Sequence, residues 1–232
     1  RLEAEVTMIG CVGPDSRGDY LLAELDAVGV SRDHVYRGSR ATGTALITID
    51  PEDVSIVVIA GANAELDAGR VERAAPEISK ADVLLLQGEV GVEAARTAAL
   101  VAAAASTKVV FNPAPFNEVA AGVLPLADVV IVNRHEREQL GDVSLPILVT
   151  TLGAEGCEVR VGSDITKIEA PDVEVVDPTG AGDAFVGAFS VAFVDTGDPV
   201  AAALIAVRAG AVAVTSVGAQ PSMPTWSGID SV

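Results

Sequence analysis

Residues 174–187 read Glu-Val-Val-Asp-Pro-Thr-Gly-Ala-Gly-Asp-Ala-Phe-Val-Gly, and this stretch decides the fold. Its β-branched start predicts the end of a strand, its centre a glycine-rich turn, and its apolar continuation to about Val194 a helix. The first backbone amides of a helix have no partners within it, and the helix dipole adds positive potential there. Small residues in the turn let an anion approach those amides closely. The pattern predicts either an anion site or, more simply, a capped helix behind a tight turn.

Asp183 falls in the first turn of this predicted helix, where an acid is unfavourable beside a bound anion unless it has a chemical role. A carboxylate with an ordinary pKa is ionised at neutral pH and can accept the proton of an attacking hydroxyl. Backbone amides from Gly180, Ala181 and Gly182 would stabilise charge on a moving phosphate. We therefore predict a phosphoryl-transfer site, with Asp183 as its general base and the three small residues as its anion hole.

Composition limits the other classes of function. The chain has 232 residues, half of them apolar, which is enough for one domain with a sizeable core. No apolar run reaches membrane-spanning length, and the two cysteines have neither disulfide-framework nor metal-ligand spacing, so we expect a cytoplasmic protein with no membrane partner. The net charge of −18 argues against nucleic acid as a partner. It also means that any nucleotide site must rely on local backbone donors and metal ions.

Strand-like and helix-like runs alternate along most of the chain, which predicts an α/β fold with a mostly parallel sheet and helices on both faces. The predicted strands are 6–9, 44–50, 54–60, 82–87, 108–112, 128–132, 146–151, 156–161 and 165–170. The predicted helices are 17–28, 70–79, 91–105, 116–121, 134–140, 183–195 and 199–216. The two strands on either side of Pro51 interrupt the alternation and predict a β-hairpin.

Residues 177–183 resemble the second signature of the ribokinase family of ATP-dependent sugar kinases, Asp-Thr-x-Gly-Ala-Gly-Asp, with Pro178 in place of Thr. Further segments resemble this family in the same order along the chain, namely 60–64, 112–115, 133–136, 151–156 and 218–222. The resemblance implies a ribokinase-like three-layer α/β/α sandwich with a mostly parallel central sheet, in a single domain over residues 1–232. It also implies that the hairpin at about 42–60 is a small β lid over the sugar, whereas without it the hairpin would be a sheet edge.

The activity that the resemblance implies is ATP-dependent phosphorylation of D-ribose at its O5 hydroxyl, with Mg²⁺ accompanying ATP and K⁺ as an activator. It also implies a homodimer formed through the lid. Two alternatives stay open: a kinase for another sugar or nucleoside of the same fold, such as deoxyribose or fructose, and a noncatalytic sugar or nucleotide sensor. The presence of Asp183 argues against the sensor.

For the sugar, the resemblance implies contacts from Glu89, Asn63 and Asp183. Glu89 matches a strand-end acid that binds sugar hydroxyls, although an acid at a helix amino terminus is a simpler interpretation. Asn63 lies in a Gly-Ala-Asn-Ala turn that approaches the sugar or the lid, and a turn Asn explains it equally well.

For the nucleotide and its metal, Asn133 and Glu136 match the family's Asn-x-x-Glu motif, which acts on Mg²⁺ and phosphate largely through water. Mg²⁺ keeps several waters and needs few protein carboxylates, but the same spacing also describes an ordinary helix cap. Gly153 and Gly156 are equally well explained as turn residues of a β-hairpin. The predicted nucleotide contacts are Asn133, Thr151, Gly153, Gly156 and Gly182, with Glu136 binding Mg²⁺ through water.

The segment 218–222 resembles the monovalent-cation loop of the family, in which main-chain carbonyls and an acid hold K⁺. The ligands implied here are Asp177, Thr179, Ala213, Ser216, Gly218 and Ser222. The family often has Arg at the position of Ser216, whose carbonyl would still serve.

Two segments of the family pattern have no counterpart in this sequence. Arg1 matches a position inside family members, and the family usually places an extra helix between Leu140 and Ile147. We therefore expect a longer polypeptide with a Gly-Gly sugar-binding signature before Arg1, and a break in the sheet or lid where that segment belongs.

Overall fold

A computed structural model of the chain describes residues 1–50 and 53–232. Its strands are β1 (Thr7–Val12), β2 (Ser31–Arg37), β3 (Thr44–Asp50), β4 (Asp53–Ile59), β5 (Val83–Gln87), β6 (Lys108–Asn112), β7 (Val129–Asn133), β8 (Ile147–Thr151), β9 (Cys157–Val161) and β10 (Asp164–Ile168). Its α-helices are α1 (Ser16–Ala27), α2 (Ala68–Arg73), α3 (Ala75–Lys80), α4 (Val92–Ala105), α5 (Val119–Val123), α6 (Arg134–Leu140), α7 (Ala181–Thr196), α8 (Pro199–Ala213), α9 (Ala219–Ser222) and α10 (Trp226–Ile229).

The main sheet has six strands in the order β10-β9-β8-β7-β6-β5. Strands β5 to β8 are parallel, and β9 and β10 continue the sheet in antiparallel fashion. The central strands are apolar along their whole length because helices cover both faces of the sheet. Val109 and Phe111 pack into one core, against α4, whereas Val110 packs into the other, against α7 and α8. The predicted three-layer α/β/α sandwich is therefore confirmed.

Strands β1 and β2 form a separate parallel pair, and within the described residues neither pairs with the main sheet. Met8 on β1 and Leu85 on β5 are 43% and 40% exposed, and the expected break in the sheet stays a prediction. Strand β2 was missed in the sequence because Ser-Arg-Asp-His-Val-Tyr-Arg lacks apolar alternation. Pairing with β1 holds it in the extended conformation.

The predicted lid hairpin agrees with the observed pair β3 and β4, which run antiparallel from Thr44 opposite Ile59. Its predicted connection at Pro51 and Glu52 lies outside the described residues. We call β3 and β4 the lid. In the described part of the chain the lid forms its own two-stranded sheet, joined to the rest of the molecule through its two ends.

Most predicted helices differ from the observed ones in their bounds, and two of these differences have a clear extent. The helix predicted at 70–79 is divided into α2 and α3 at Ala74, whose φ of −90° and ψ of 3° are not helical. Pro76 explains the division, because it has no amide hydrogen with which to continue the helix. The last helix of the prediction stops at Ala213 rather than at residue 216. Among the helices that the structure describes, none is long and apolar enough to cross a membrane.

Candidate active site

The parallel strands bring the ends of four sequence segments to one edge of the sheet. Strand β5 ends at Gln87 beside Asn112, the last residue of β6, and β7 ends at Asn133 beside Thr151, the last residue of β8. Ligands of open α/β sheets bind at this carboxyl edge, where the loops diverge. The predicted nucleotide contacts Asn133 and Thr151 therefore lie at the edge where the topology places a ligand.

Helix α7 begins at this edge with the Gly180–Ala181–Gly182 turn. Gly180 caps the helix with a left-handed φ of +84°, and no side chain hydrogen-bonds to the cap. A Cβ on Gly180 would lie 2.9 Å from the Cα of Ala219, so the close approach of the two loops also requires glycine. A Cβ on Gly182 would meet no atom within 4 Å. The first turn of α7 therefore opens onto free space at Gly182.

The amides of the predicted anion hole differ in whether they already donate a hydrogen bond within the protein. The Ala181 amide donates to the carbonyl of Pro178 at 3.2 Å, which closes the turn before the helix. The Gly182 amide lies in the first helical turn, where no carbonyl four residues earlier accepts from it. Gly182 is therefore the better placed of the two to meet an anion, whereas Ala181 would first have to release its turn bond.

Asp183 lies beside the end of β5. The Gln87 side-chain Nε2 donates to Asp183 Oδ1 at 3.2 Å. Desolvation raises the pKa of the Asp183 carboxyl, and the hydrogen bond from Gln87 partly offsets this increase. Burial also raises the pKa of Glu89, with a further contribution from the charge of Asp183. Asp183 is thus hydrogen-bonded to Gln87, and its charge acts on Glu89.

Sequence reasoning missed Gln87, although a signal was present. The strand reads Val-Leu-Leu-Leu-Gln, and a polar residue closing an otherwise apolar parallel strand marks the edge where ligands bind.

A cavity of about 240 Å³ lies between the lid, β1 and the end of β5. Glu89 and Asn63, two of the residues predicted to contact the sugar, both line it, whereas Asp183 is not among its lining residues. The remaining polar lining comes from Thr42 and Thr44 at the base of the lid. The cavity therefore brings two of the predicted sugar-binding side chains together beside the lid.

The predicted nucleotide loop follows β8. Gly153 has a φ of +63° and open space around it. Gly156 has a φ of +90°, and a Cβ there would lie 1.9 Å from the carbonyl of Ile168, so backbone packing alone explains this glycine. The Arg134–Glu155 ion pair at 2.6 Å ties the loop to the start of α6. A second cavity of about 420 Å³, lined by residues 152, 154, 155, 157 and 167–170, borders this loop.

Asn133 and Glu136 form a reciprocal helix cap. The Asn133 Oδ1 accepts from the Glu136 amide at 2.8 Å, and Glu136 Oε2 accepts from the Asn133 amide at 2.9 Å. Burial raises the pKa of the Glu136 carboxyl. Within the described residues, no group of three or more His, Cys, Asp or Glu side chains could hold a metal ion. A Mg²⁺ here would therefore depend on Glu136, water and phosphate oxygens, which is the donor set that Mg²⁺ tolerates.

The segments predicted to hold K⁺ meet in the structure. The amides of Val176 and Asp177 both donate to the Val214 carbonyl, at 2.8 and 3.1 Å. The Asp177 Oδ2 accepts from the Gly218 amide at 2.8 Å, and its Oδ1 accepts from the Thr179 amide at 2.9 Å. Hydrogen bonding by the Thr179 side chain, followed by the amides of Gly218 and Thr179, lowers the pKa of Asp177, so the carboxylate stays ionised. Of the predicted ligands, Asp177, Thr179 and Gly218 are thus brought together by hydrogen bonds, and Ala213 and Ser222 are buried. Their carboxylate and carbonyl oxygens are of the type that a hard cation prefers.

Comparison with known proteins assigns the chain to a family. The model of the pfkB family carbohydrate kinases matches residues 1–226. The chain belongs to the pfkB family of carbohydrate kinases. It is 33% identical to the ribokinase of Bacillus subtilis (strain 168) over 243 residues, covering 100% of this chain and 83% of that protein. The fold resembles the crystal structure of ribokinase from Thermotoga maritima, with a TM-score of 0.86 and 27% identity over 97% of this chain and 80% of that one.

The fold is also similar to that of Arabidopsis thaliana ribokinase complexed with ribose and ATP, with a TM-score of 0.85 and 23% identity over 98% of this chain and 81% of that one. As a pfkB family member the chain is a carbohydrate kinase, so the predicted enzyme class is confirmed. The roles of the individual site residues remain predictions.

Proposed function

We propose that this pfkB family member transfers the γ-phosphoryl group of ATP to the O5 hydroxyl of D-ribose, with Asp183 as general base. The observation that carries the proposal is the placement of Asp183 in the first turn of α7, bonded to Gln87 and next to the open face of Gly182. Relatives named ribokinase support ribose as the sugar, and the Arabidopsis complex with ribose and ATP supports both substrates.

The chemistry follows from that placement. The ribose O5 would attack the γ-phosphorus while Asp183 takes the O5 proton, and the bond from the γ-phosphorus to the bridging oxygen would break, leaving ADP. The amide of Gly182 and the α7 dipole stabilise charge on the moving group, with Gly180 and Ala181 completing the turn. Glu89 and Asn63 bind sugar hydroxyls in the cavity under the lid.

The nucleotide side of the proposal uses Asn133, Thr151 and Gly153 at the carboxyl edge of β7 and β8. When bound with ATP, Mg²⁺ neutralises phosphate charge, and Glu136 would hold it through water. The loops joined by Asp177 and Gly218 would hold K⁺ close to the turn that opens α7, because Gly180 packs on Ala219. K⁺ would thereby order the anion hole.

The homodimer through the lid also belongs to the proposal. Leu46 and Val57 on the lid strands are 54% and 58% exposed, and Ile59 is 52% exposed. Apolar side chains exposed together on a short hairpin favour contact with a second apolar surface. A second copy of this chain would cover them.

Replacing Asp183 tests the assignment of the base. Asp183→Asn keeps the size of the side chain and its hydrogen bonding but removes the proton acceptor. We expect kcat with ribose to fall by at least about 100-fold, with ATP binding nearly unchanged. ADP release measured with and without ribose, deoxyribose and fructose gives the sugar specificity in the same assay.

Asp195→Asn serves as the matched control, because Asp195 lies near the opposite end of the same helix. Near-normal turnover of a folded Asp183→Asn protein would overturn the role of Asp183. Faster turnover of the wild-type protein with deoxyribose or fructose than with ribose would overturn the choice of sugar.

A further inference from the structure

Asp15 joins the start of helix α1 to the base of the lid. Its Oδ1 accepts from the Gly18 amide at 2.9 Å, which caps the helix, and from the Thr42 hydroxyl at 2.6 Å. Its Oδ2 accepts from the Thr42 backbone amide at 2.8 Å. These bonds, that from the Thr42 hydroxyl first, lower the pKa of Asp15 to about 2, so the carboxylate is ionised at neutral pH. The Asp15 side chain therefore caps α1 and also binds Thr42 at the base of the lid.

The backbone around this contact has no room for other side chains. The Thr42 hydroxyl also accepts from the Gly13 amide at 3.0 Å, and Thr42 is buried. A Cβ on Gly13 would lie 2.3 Å from the Thr42 amide nitrogen, and one on Gly18 would lie 2.4 Å from the Gly13 carbonyl. The segment carrying Thr42 is thus held against the loop between β1 and α1 at a fixed distance.

The other end of the lid is tied to the same segment. The Ala62 amide donates to the Ala41 carbonyl at 2.8 Å. A Cβ on Gly61 would lie 2.4 Å from that carbonyl, and one on Gly43 would lie 2.9 Å from the carbonyl of Ala60. Both ends of the lid therefore converge where Asp15 anchors the chain, and the orientation of the lid depends on this junction.

The junction also forms part of the sugar cavity. Thr42, Gly43 and Thr44, at the lid base, line the same cavity as Glu89 and Asn63. A shift of the lid base would therefore change the shape of that cavity. We propose that Asp15 is a positioning residue that fixes the lid base over the sugar cavity through Thr42. This inference rests on the proposed function for the identity of the sugar, but the anchoring itself does not.

Asp15→Asn separates the two roles of the side chain. Asn caps helices as well as Asp does, so its Oδ1 can keep the bond to the Gly18 amide. Its Nδ2 would then face the Thr42 amide, donor against donor, so the lid base would lose this backbone bond and keep only the bond from the Thr42 hydroxyl to Oδ1. Thr42→Val removes the hydroxyl at nearly constant shape, and Thr42→Ser restores it. Asp198→Asn is the matched control, because Asp198 caps α8 through one oxygen and touches no lid residue.

We expect Asp15→Asn and Thr42→Val to raise the KM for ribose by about tenfold or more, as loss of a hydrogen bond to a charged group would. The KM for ATP should stay close to that of Asp198→Asn. Without substrates, amide hydrogen exchange should be faster in the lid strands of both variants and normal in Thr42→Ser. A purely structural cap would not produce this split between the two KM values.

Unchanged lid exchange in a folded Asp15→Asn or Thr42→Val protein would overturn the proposal. Equal changes in the KM for ribose and the KM for ATP would also overturn it, since the effect would then not be specific to the sugar side. If the wild-type protein releases no ADP in the presence of ribose, the proposed function fails, and the exchange comparison still decides whether Asp15 anchors the lid.

Discussion

At the scale of single residues, the candidate base depends on a neighbour that the motif does not contain. Gln87 donates to Asp183, and Glu89 lies close enough for the charge of Asp183 to raise its pKa. Desolvation favours the neutral form of Asp183, whereas the donor favours the ionised form that accepts a proton. Gln87 is therefore expected to keep the base ionised and correctly oriented.

Gln87→Leu should move the acidic limb of the pH profile of kcat/KM to higher pH. Removing the donor raises the pKa of Asp183, so the carboxylate is protonated, and inactive as a base, at a pH where the wild-type protein still works. The loss of activity should be smallest at alkaline pH. Gln139→Leu, at a glutamine whose side chain pairs with His135, is the control. An acidic limb that stays in place would contradict the role given to Gln87.

At the scale of elements, the amino terminus of α7 contains one glycine that the fold requires, Gly180, and one that it does not require, Gly182. Gly180 needs a positive φ and close packing on Ala219, so its substitution would disturb the fold. Gly182 has helical geometry and open space, so nothing in the folded chain itself requires glycine there. A glycine that packing does not require points to a ligand approaching the backbone.

Gly182→Ala and Gly187→Ala form a matched pair on α7, because a Cβ on either residue would meet no atom within 4 Å. Each should stabilise the helix by up to about 1 kcal/mol, since Ala is the better helix former. Only Gly182→Ala places a methyl group where the phosphate is proposed to pass, and we expect its kcat to fall by about tenfold or more. Steady-state kinetics and thermal unfolding measure both effects. Normal activity of Gly182→Ala would rule out a phosphate at this turn.

At the scale of the whole molecule, hydrogen bonds join distant parts of the chain beside the candidate site. Asp177 contacts Gly218, and Gly180 packs on Ala219, so the two loops and the start of α7 form one unit. A cation held by the carbonyls of both loops would order this unit. Its effect would reach the anion hole without contact with the sugar.

We therefore expect higher activity in potassium chloride than in sodium chloride at equal ionic strength. Asp177→Asn would set an amide donor against the Gly218 amide, part the loops and abolish the difference between the two salts. The measurement is initial rate in each salt, with potassium removed from the sodium stocks. Equal rates of the wild-type protein in both salts would contradict the site.

The sequence by itself determined the fold class and most elements. Apolar runs alternating with helical patterns demand a sheet covered on both faces, and the predicted strand at 108–112 and helix at 134–140 have the observed bounds. It also indicated Asp183 as a candidate base, because the glycine turn and the acid are adjacent along the chain, whereas the strand end predicted at the start of residues 174–187 was wrong, since no strand forms there. Secondary structure can be predicted from the sequence where the interactions that determine it join residues that are close along the chain.

Only the tertiary structure decided the features whose cause lies between distant segments. Strand β2 exists through its pairing with β1, and Gln87 meets Asp183 only because the sheet edge and α7 converge. Asp15 looks like an ordinary helix cap in the sequence, since its contact with Thr42 crosses 27 positions of the chain. Packing and long-range hydrogen bonds determine these contacts, and the periodicity of the sequence does not predict them.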